Sequence, residues 1–104
     1  MEDPISIMAK ETYTYENGDE YVGESKDDKP NGQGTMTHEN GAQYTGEFKD
    51  GKPHGKGTYN YEHGEQHAGE WKFGLFDGQG TFTQKNGDQY EGTWKKGVFL
   101  NENR

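Results

Sequence analysis

The sequence has no cysteine, which excludes disulfides and thiolate metal sites and leaves the redox compartment unread. Proline occurs only three times, and Leu, Ile, Val and Phe together supply only 11 residues. No stretch approaches the roughly 20 apolar residues that a helical membrane span requires. The opening residues, MEDPISIMAK, carry acids and no long apolar run, so they do not read as a secretory signal. Basic residues are scarce as well. Eleven Lys and Arg face 19 Asp and Glu, leaving a net charge of -8. Summed repulsion makes such a chain a poor partner for nucleic acid or an anionic membrane surface. The expectation is a soluble, cytoplasmic protein with one small domain.

A hydrophobic fraction of 25% with that net charge would ordinarily suggest disorder. The aromatic content argues otherwise, with seven Tyr, five Phe and two Trp beside 17 Gly. Any core must therefore be built from rings and backbone.

Internal periodicity fixes the architecture. Asn17-Gly18, Asn40-Gly41, His63-Gly64 and Asn86-Gly87 recur at a step of 23 residues. Gly23, Gly46, Gly69 and Gly92 keep that step, as do Gly34, Gly57 and Gly80, and Lys26, Lys49, Lys72 and Lys95. Within a period, Gly34 to His38 and Gln43 to Lys49 read as two strands around Asn40-Gly41, whose residues tolerate the positive φ of a tight turn. Asp50 to Gly55 reads as a loop into the next hairpin. The fold class expected is all-β: an elongated, twisted, single-layer antiparallel meander of four tandem hairpins and about eight strands. Residues 1–11 form a tail and 12–104 the array, divided at 12–33, 34–56, 57–79 and 80–102.

Alternation assigns the faces. Tyr44, Gly46 and Phe48 share one face, matched by His67, Gly69 and Trp71 and by Tyr90, Gly92 and Trp94, with Met36, Tyr59 and Phe82 on partner strands. The other face takes threonines, lysines and Glu24, Glu47 and Glu70, which read as solvated surface. Glycine alternating with large rings leaves flat backbone for a neighbouring ring to rest on.

The pattern Tyr44-x-Gly46-Glu47-Phe48, then Gly51-x-x-x-Gly55-x-Gly57-Thr58-Tyr59, resembles the MORN repeat. It recurs as Gly69-Glu70-Trp71 with Gly74, Gly78, Gly80, Thr81 and Phe82, and again as Tyr90-x-Gly92-x-Trp94 with Gly97, so the resemblance spans about residues 12 to 97. It implies an elongated sheet with an aromatic groove, in scaffolds that dimerise or hold helical or extended partner segments; phospholipid association has also been suggested for the family. The sequence departs from the pattern at Ser25 and Asp28, which makes the first repeat a degenerate cap, at His67 in place of Tyr, and at Phe76 and Phe99 where Pro30 and Pro53 would be matched.

The residues expected to bind a partner are Tyr44, Phe48, Tyr59, His67, Trp71, Phe82, Tyr90 and Trp94, because a single-layer sheet cannot cover its own apolar face; Tyr44, Phe48, Trp71, Tyr90 and Trp94 are expected also to form the core, resting on the glycines of adjacent strands. Two apolar clusters, Phe73, Leu75 and Phe76 in a loop and Val98, Phe99 and Leu100 one repeat later, are expected to pack together as a C-terminal cap, with an oligomer contact as the alternative. His38, His54, His63 and His67 lack a recognised ligand spacing, so neither metal nor cofactor is expected. Enzyme motifs are absent: Gly32-Gln33-Gly34 has no third glycine and opens no helix, and there is no phosphate loop or nucleophile elbow. The leading function is therefore a non-catalytic adaptor that binds a protein segment or itself. A peripheral phospholipid module is disfavoured because periodic lysines are matched by periodic glutamates. A targeting arm of a larger enzyme stands as readily as a free-standing protein.

Overall fold

The computed structural model describes residues 9–102. Among the described residues, nine strands follow one another in a single antiparallel sheet whose spatial order is the chain order. They are β1 (Ala9–Thr14), β2 (Glu20–Lys26), β3 (Lys29–Thr37), β4 (Gln43–Lys49), β5 (Lys52–Asn60), β6 (Gln66–Lys72), β7 (Leu75–Thr83), β8 (Gln89–Lys95) and β9 (Val98–Glu102). The meander is as expected, with one strand more than the four-hairpin count, because Val98–Glu102 pairs with β8. The boundary drawn between residues 11 and 12 falls inside β1, and residues 1–8, 103 and 104 lie outside the described residues.

The two kinds of turn exchange the roles the sequence suggested. At the Asn-Gly turns, Gly18 N–H donates to the Tyr15 carbonyl at 3.0 Å, and Gly41 N–H to that of His38 at 2.9 Å. Only the glycine takes a positive φ there, 98° at Gly41. Asn40 serves through its side chain instead, its Oδ1 accepting Ala42 N–H at 2.9 Å. Pairs of positive φ occur on the opposite margin, as at Asp50 (51°) and Gly51 (86°). These are tight two-residue hairpins. They shorten the supposed loop at 50–55 to Asp50-Gly51 and carry Pro53, His54 and Gly55 into β5.

Each two-residue hairpin is followed by a bulge. From Gly46↔Gly57 to Phe48↔Pro53, β4 advances two residues while β5 advances four. A bulge accommodates the proline and increases the local twist. It also frees a backbone donor. The Glu47 carboxylate accepts Lys56 N–H at 2.6 Å, and Glu24 and Glu70 accept those of Gln33 and Gln79, each at 2.7 Å. The periodic glutamates are thus bulge clamps, which corrects the reading that made them mere solvated surface.

Three rows cross the aromatic face. A central row pairs glycine with glycine from Gly23 through Gly34, Gly46, Gly57, Gly69 and Gly80 to Gly92. On one side Tyr21, Met36, Tyr44, Tyr59, His67, Phe82 and Tyr90 stand opposite one another in turn. On the other, Phe48, Trp71, Phe76, Trp94 and Phe99 follow. Rings from both outer rows lean over the glycine row and meet. Tyr21–Phe48, Phe48–Tyr44 and Tyr44–Trp71 centroids lie 5.0, 5.0 and 5.3 Å apart, and Trp71–Phe76, Phe76–Trp94 and Trp94–Phe99 continue at 5.0, 5.0 and 4.8 Å. The first three contacts are edge-to-face, the arrangement that adds attraction beyond buried area.

Candidate interaction surface

The eight rings proposed for partner binding divide into two groups. Tyr44, Phe48, Trp71 and Trp94 are only 1, 4, 7 and 6% exposed, so they form the core and offer little contact surface. Glycine explains this: with no Cβ in the central row, a ring sinks to the backbone and its neighbours close over it. The indole N–H groups of Trp71 and Trp94 donate to the carbonyls of Gly57 and Gly80 at 3.0 and 3.1 Å, and the Tyr44 hydroxyl donates to the Glu47 carbonyl at 2.9 Å. Burial, with the Glu47 charge nearby, raises the Tyr44 hydroxyl pKa well above the usual phenol value.

Tyr59, His67 and Phe82 are half-buried and line a concavity of about 450 Å³. Tyr61, Ala42, Glu62 and Glu65 also line it, and the sequence reading missed all four. A signal for Tyr61 was present, since Tyr15, His38, Tyr61 and Gln84 hold one phase of the period at the mouth of each Asn-Gly turn. Tyr90 is 38% exposed and its ring stacks between those of Phe82 and Phe99, at 6.4 and 6.2 Å.

His67 owes its position to Phe76. In the β4–β5 hairpin, a Cβ placed on Gly57 would strike Tyr44, whereas in the β6–β7 hairpin a Cβ on Gly80 would strike Phe76. Phe76, the residue that replaces proline, therefore occupies the space a tyrosine at position 67 would fill. The imidazole packs instead against Phe76 at 4.3 Å and Phe82 at 4.6 Å, and His67 Nδ1 shares a 2.7 Å hydrogen bond with the Tyr61 hydroxyl. Burial pushes the His67 pKa down to about 4, so the ring is uncharged at neutral pH.

The second candidate group splits by strand alternation. Phe76 (3% exposed) and the half-buried Phe99 turn into the ring row, while Phe73, Leu75, Val98 and Leu100 are 58, 47, 60 and 56% exposed. The expected plug is therefore confined to two of its six residues. Phe73 sits in a turn and lies against His54 at 4.7 Å, while Leu75 and Phe76 belong to β7 rather than to a loop.

The remaining histidines serve local contacts. His38 Nδ1 lies 3.1 Å from Asp19 Oδ2, and Asp19 Oδ1 also accepts Glu39 N–H at 3.1 Å, joining two successive turns. The His38 bond is the main cause that holds the Asp19 carboxyl below its ordinary range. Among the described residues, no three of His, Cys, Asp and Glu gather as a metal ion would require.

The MORN repeat family model matches four consecutive segments, 21–43, 44–65, 67–89 and 90–99, which together cover most of the chain. The chain belongs to the MORN repeat family. A search of the curated proteins gave no match. Each full MORN match opens on the ring before a bulge glutamate, at Tyr21, Tyr44 or His67, so the family unit is the hairpin with the tight turn and the bulge. MORN repeats are a non-enzymatic family whose general role is interaction with proteins or membranes.

The margins of this MORN sheet differ in charge. The Asn-Gly margin, residues 15–19, 38–42, 61–65 and 84–88, carries Glu16, Asp19, Glu39, Glu62, Glu65 and Asp88 against Lys85 alone. The tight-turn margin, residues 26–29, 49–52, 72–75 and 95–98, carries seven lysines against three aspartates. Its successive turns are bonded together, Gly51, Gly74 and Gly97 N–H donating to the carbonyls of Pro30, Pro53 and Phe76 at 2.9, 2.8 and 2.8 Å. The glutamates that alternate with these lysines clamp the bulges one step inward, so the lysines gather at the turns themselves.

Proposed function

We propose that this MORN repeat protein is a non-catalytic adaptor that holds an extended or helical protein segment along the Tyr59–Phe82 side of its aromatic face. One observation carries this reading: Tyr59, Tyr61, His67 and Phe82 wall an open concavity of about 450 Å³, while the rings beside it are sealed into the core. Rigid rings presented without further ordering of the chain suit anchoring of an apolar side chain. The fold brings these rings together from β5, the following turn, β6 and β7, so a bound segment would cross several strands.

Selection of a random peptide library on the parent protein tests the reading. Enriched peptides should lose binding in Tyr61→Ala/Phe82→Ala and keep it in Thr58→Ala/Thr81→Ala, which alters the opposite face. Equal loss or equal retention in both variants would overturn it.

A second reading rests on the basic margin. Exposed Phe73, Leu75 and Val98 stand among its lysines, a combination suited to an anionic lipid surface despite the net charge of -8. Sedimentation with phosphatidylserine vesicles at low salt, lost on Lys95→Gln/Lys96→Gln, would support it. No sedimentation at all would dismiss it.

A further inference from the structure

The concavity combines two features that the adaptor reading does not use together. Its walls are aromatic rings in mutual contact: Tyr59 and Tyr61 lie 4.7 Å apart, Tyr61 and Phe82 6.4 Å, and His67 and Phe82 4.6 Å. Its lining also includes the Glu62 and Glu65 carboxylates, from the turn that Tyr61 begins. Aromatic faces are electron-rich and attract cations, most strongly where water is partly excluded. Carboxylates beside them add a second attraction of the same sign.

Three basic side chains stand nearby, His63, His67 and Lys85. His67 is uncharged at neutral pH because burial lowers its pKa to about 4. His63 also lines the concavity, its Nε2 lying 3.3 Å from Glu62 Oε2. Lys85 does not line the concavity, but it borders Glu65 and Phe82 in the adjoining hollow. The field of the whole margin favours a cation, with six carboxylates and one lysine along the turns. A neighbouring hollow shares Asn40 and Tyr59 with it and is lined by Asp19, His38 and Glu39.

We infer that the partner segment is basic, and that one of its Arg or Lys side chains enters the concavity against Tyr61 and Phe82, held by Glu62 and Glu65. This rests on the adaptor reading and names the chemistry of its partner. A neutral apolar segment would leave the carboxylates desolvated without a counter-charge, and an acidic one would be repelled. The Arg or Lys stem would lie along the rings while its head stays beside the carboxylates at the open mouth.

The test uses two labelled amphipathic peptides with the same apolar residues, one carrying arginine and the other the neutral isostere citrulline at the flanking positions. Titrated against the whole chain by fluorescence anisotropy, the arginine peptide should bind at least about tenfold more tightly. That preference should shrink with added salt and in Glu62→Gln/Glu65→Gln, whose side chains clamp no bulge. Equal affinity for both peptides, lost in Tyr61→Ala, would overturn the basic preference and leave the adaptor reading standing. A preference that survives both Tyr61→Ala and the glutamine variant would place the cation elsewhere and overturn the inference. Failure of both peptides to bind would overturn the inference and the adaptor reading together.

Discussion

The β4–β5 and β6–β7 hairpins solve one packing problem in different ways. In β4–β5, Tyr44 reaches across the glycine row, its hydroxyl bonds to the Glu47 carbonyl, and Pro53 faces Phe48 at the bulge. In β6–β7, Phe76 replaces the proline and takes the space over Gly80, so residue 67 can be a histidine that leans outward onto Tyr61. Two departures that look independent in the sequence are one exchange in space. One hairpin is thereby closed, and the other keeps an aromatic side chain available to a concavity.

The largest effects expected are at the floor of each hairpin. Gly57→Ala and Gly80→Ala should each cost about 3 kcal/mol or more, because the new methyl meets a buried ring. Urea unfolding measures both. The two hairpins should then separate: Phe76→Leu should offset part of the Gly80→Ala loss and none of the Gly57→Ala loss.

The exchange itself gives the next largest effect. His67→Tyr alone should destabilise by about 2 kcal/mol, since Phe76 already fills the site a tyrosine needs. Phe76→Pro alone should cost a similar amount by leaving that site empty. The double variant restores the arrangement of the β4–β5 hairpin, so a double-mutant cycle should give a favourable coupling of at least about 1 kcal/mol. Strict additivity would contradict the exchange.

A pH dependence follows from His67. The unfolded chain takes up a proton near pH 6.5, whereas the folded imidazole does so only near 4. Stability is therefore full above pH 6.5 and falls as pH drops toward 4, because the unfolded state binds more protons in that window. The loss from this residue between pH 7 and pH 5 should be about 1 to 2 kcal/mol. Melts of the parent and His67→Gln at both values should show the difference, with the variant losing less. Tyr44→Phe is the smallest change. It should cost about 1 kcal/mol for the hydroxyl's bond to the Glu47 carbonyl.

Much of the fold was legible because strand alternation and a phased period are properties of the chain alone. The sheet, its chain order and the division of Tyr44, Gly46 and Phe48 from the threonine face follow from them. Other features depend on pairing between strands. The type of each turn depends on how far the bulge shifts register, so Asp50-Gly51 could not be told from a longer loop. Glu47 looks solvated until Lys56 N–H is set free beside it. Periodicity placed Tyr44, Trp71 and Tyr59 on one face, but how deeply each ring sinks is decided by the glycine opposite and by the neighbour that covers it. Tyr61 escaped notice because it stands just outside a strand, where alternation gives no direction.

The central claim is that one aromatic face performs two tasks, with sealed rings holding the sheet and the Tyr61 group holding a partner. One variant with two readouts tests it most directly. Tyr61→Ala should unfold within about 1 kcal/mol of the parent, in contrast to the 3 to 5 kcal/mol expected for Trp71→Ala, and should lose at least about tenfold in affinity for a peptide selected on the parent. A Tyr61→Ala protein that binds that peptide as the parent does, or that unfolds as readily as Trp71→Ala, would contradict the account.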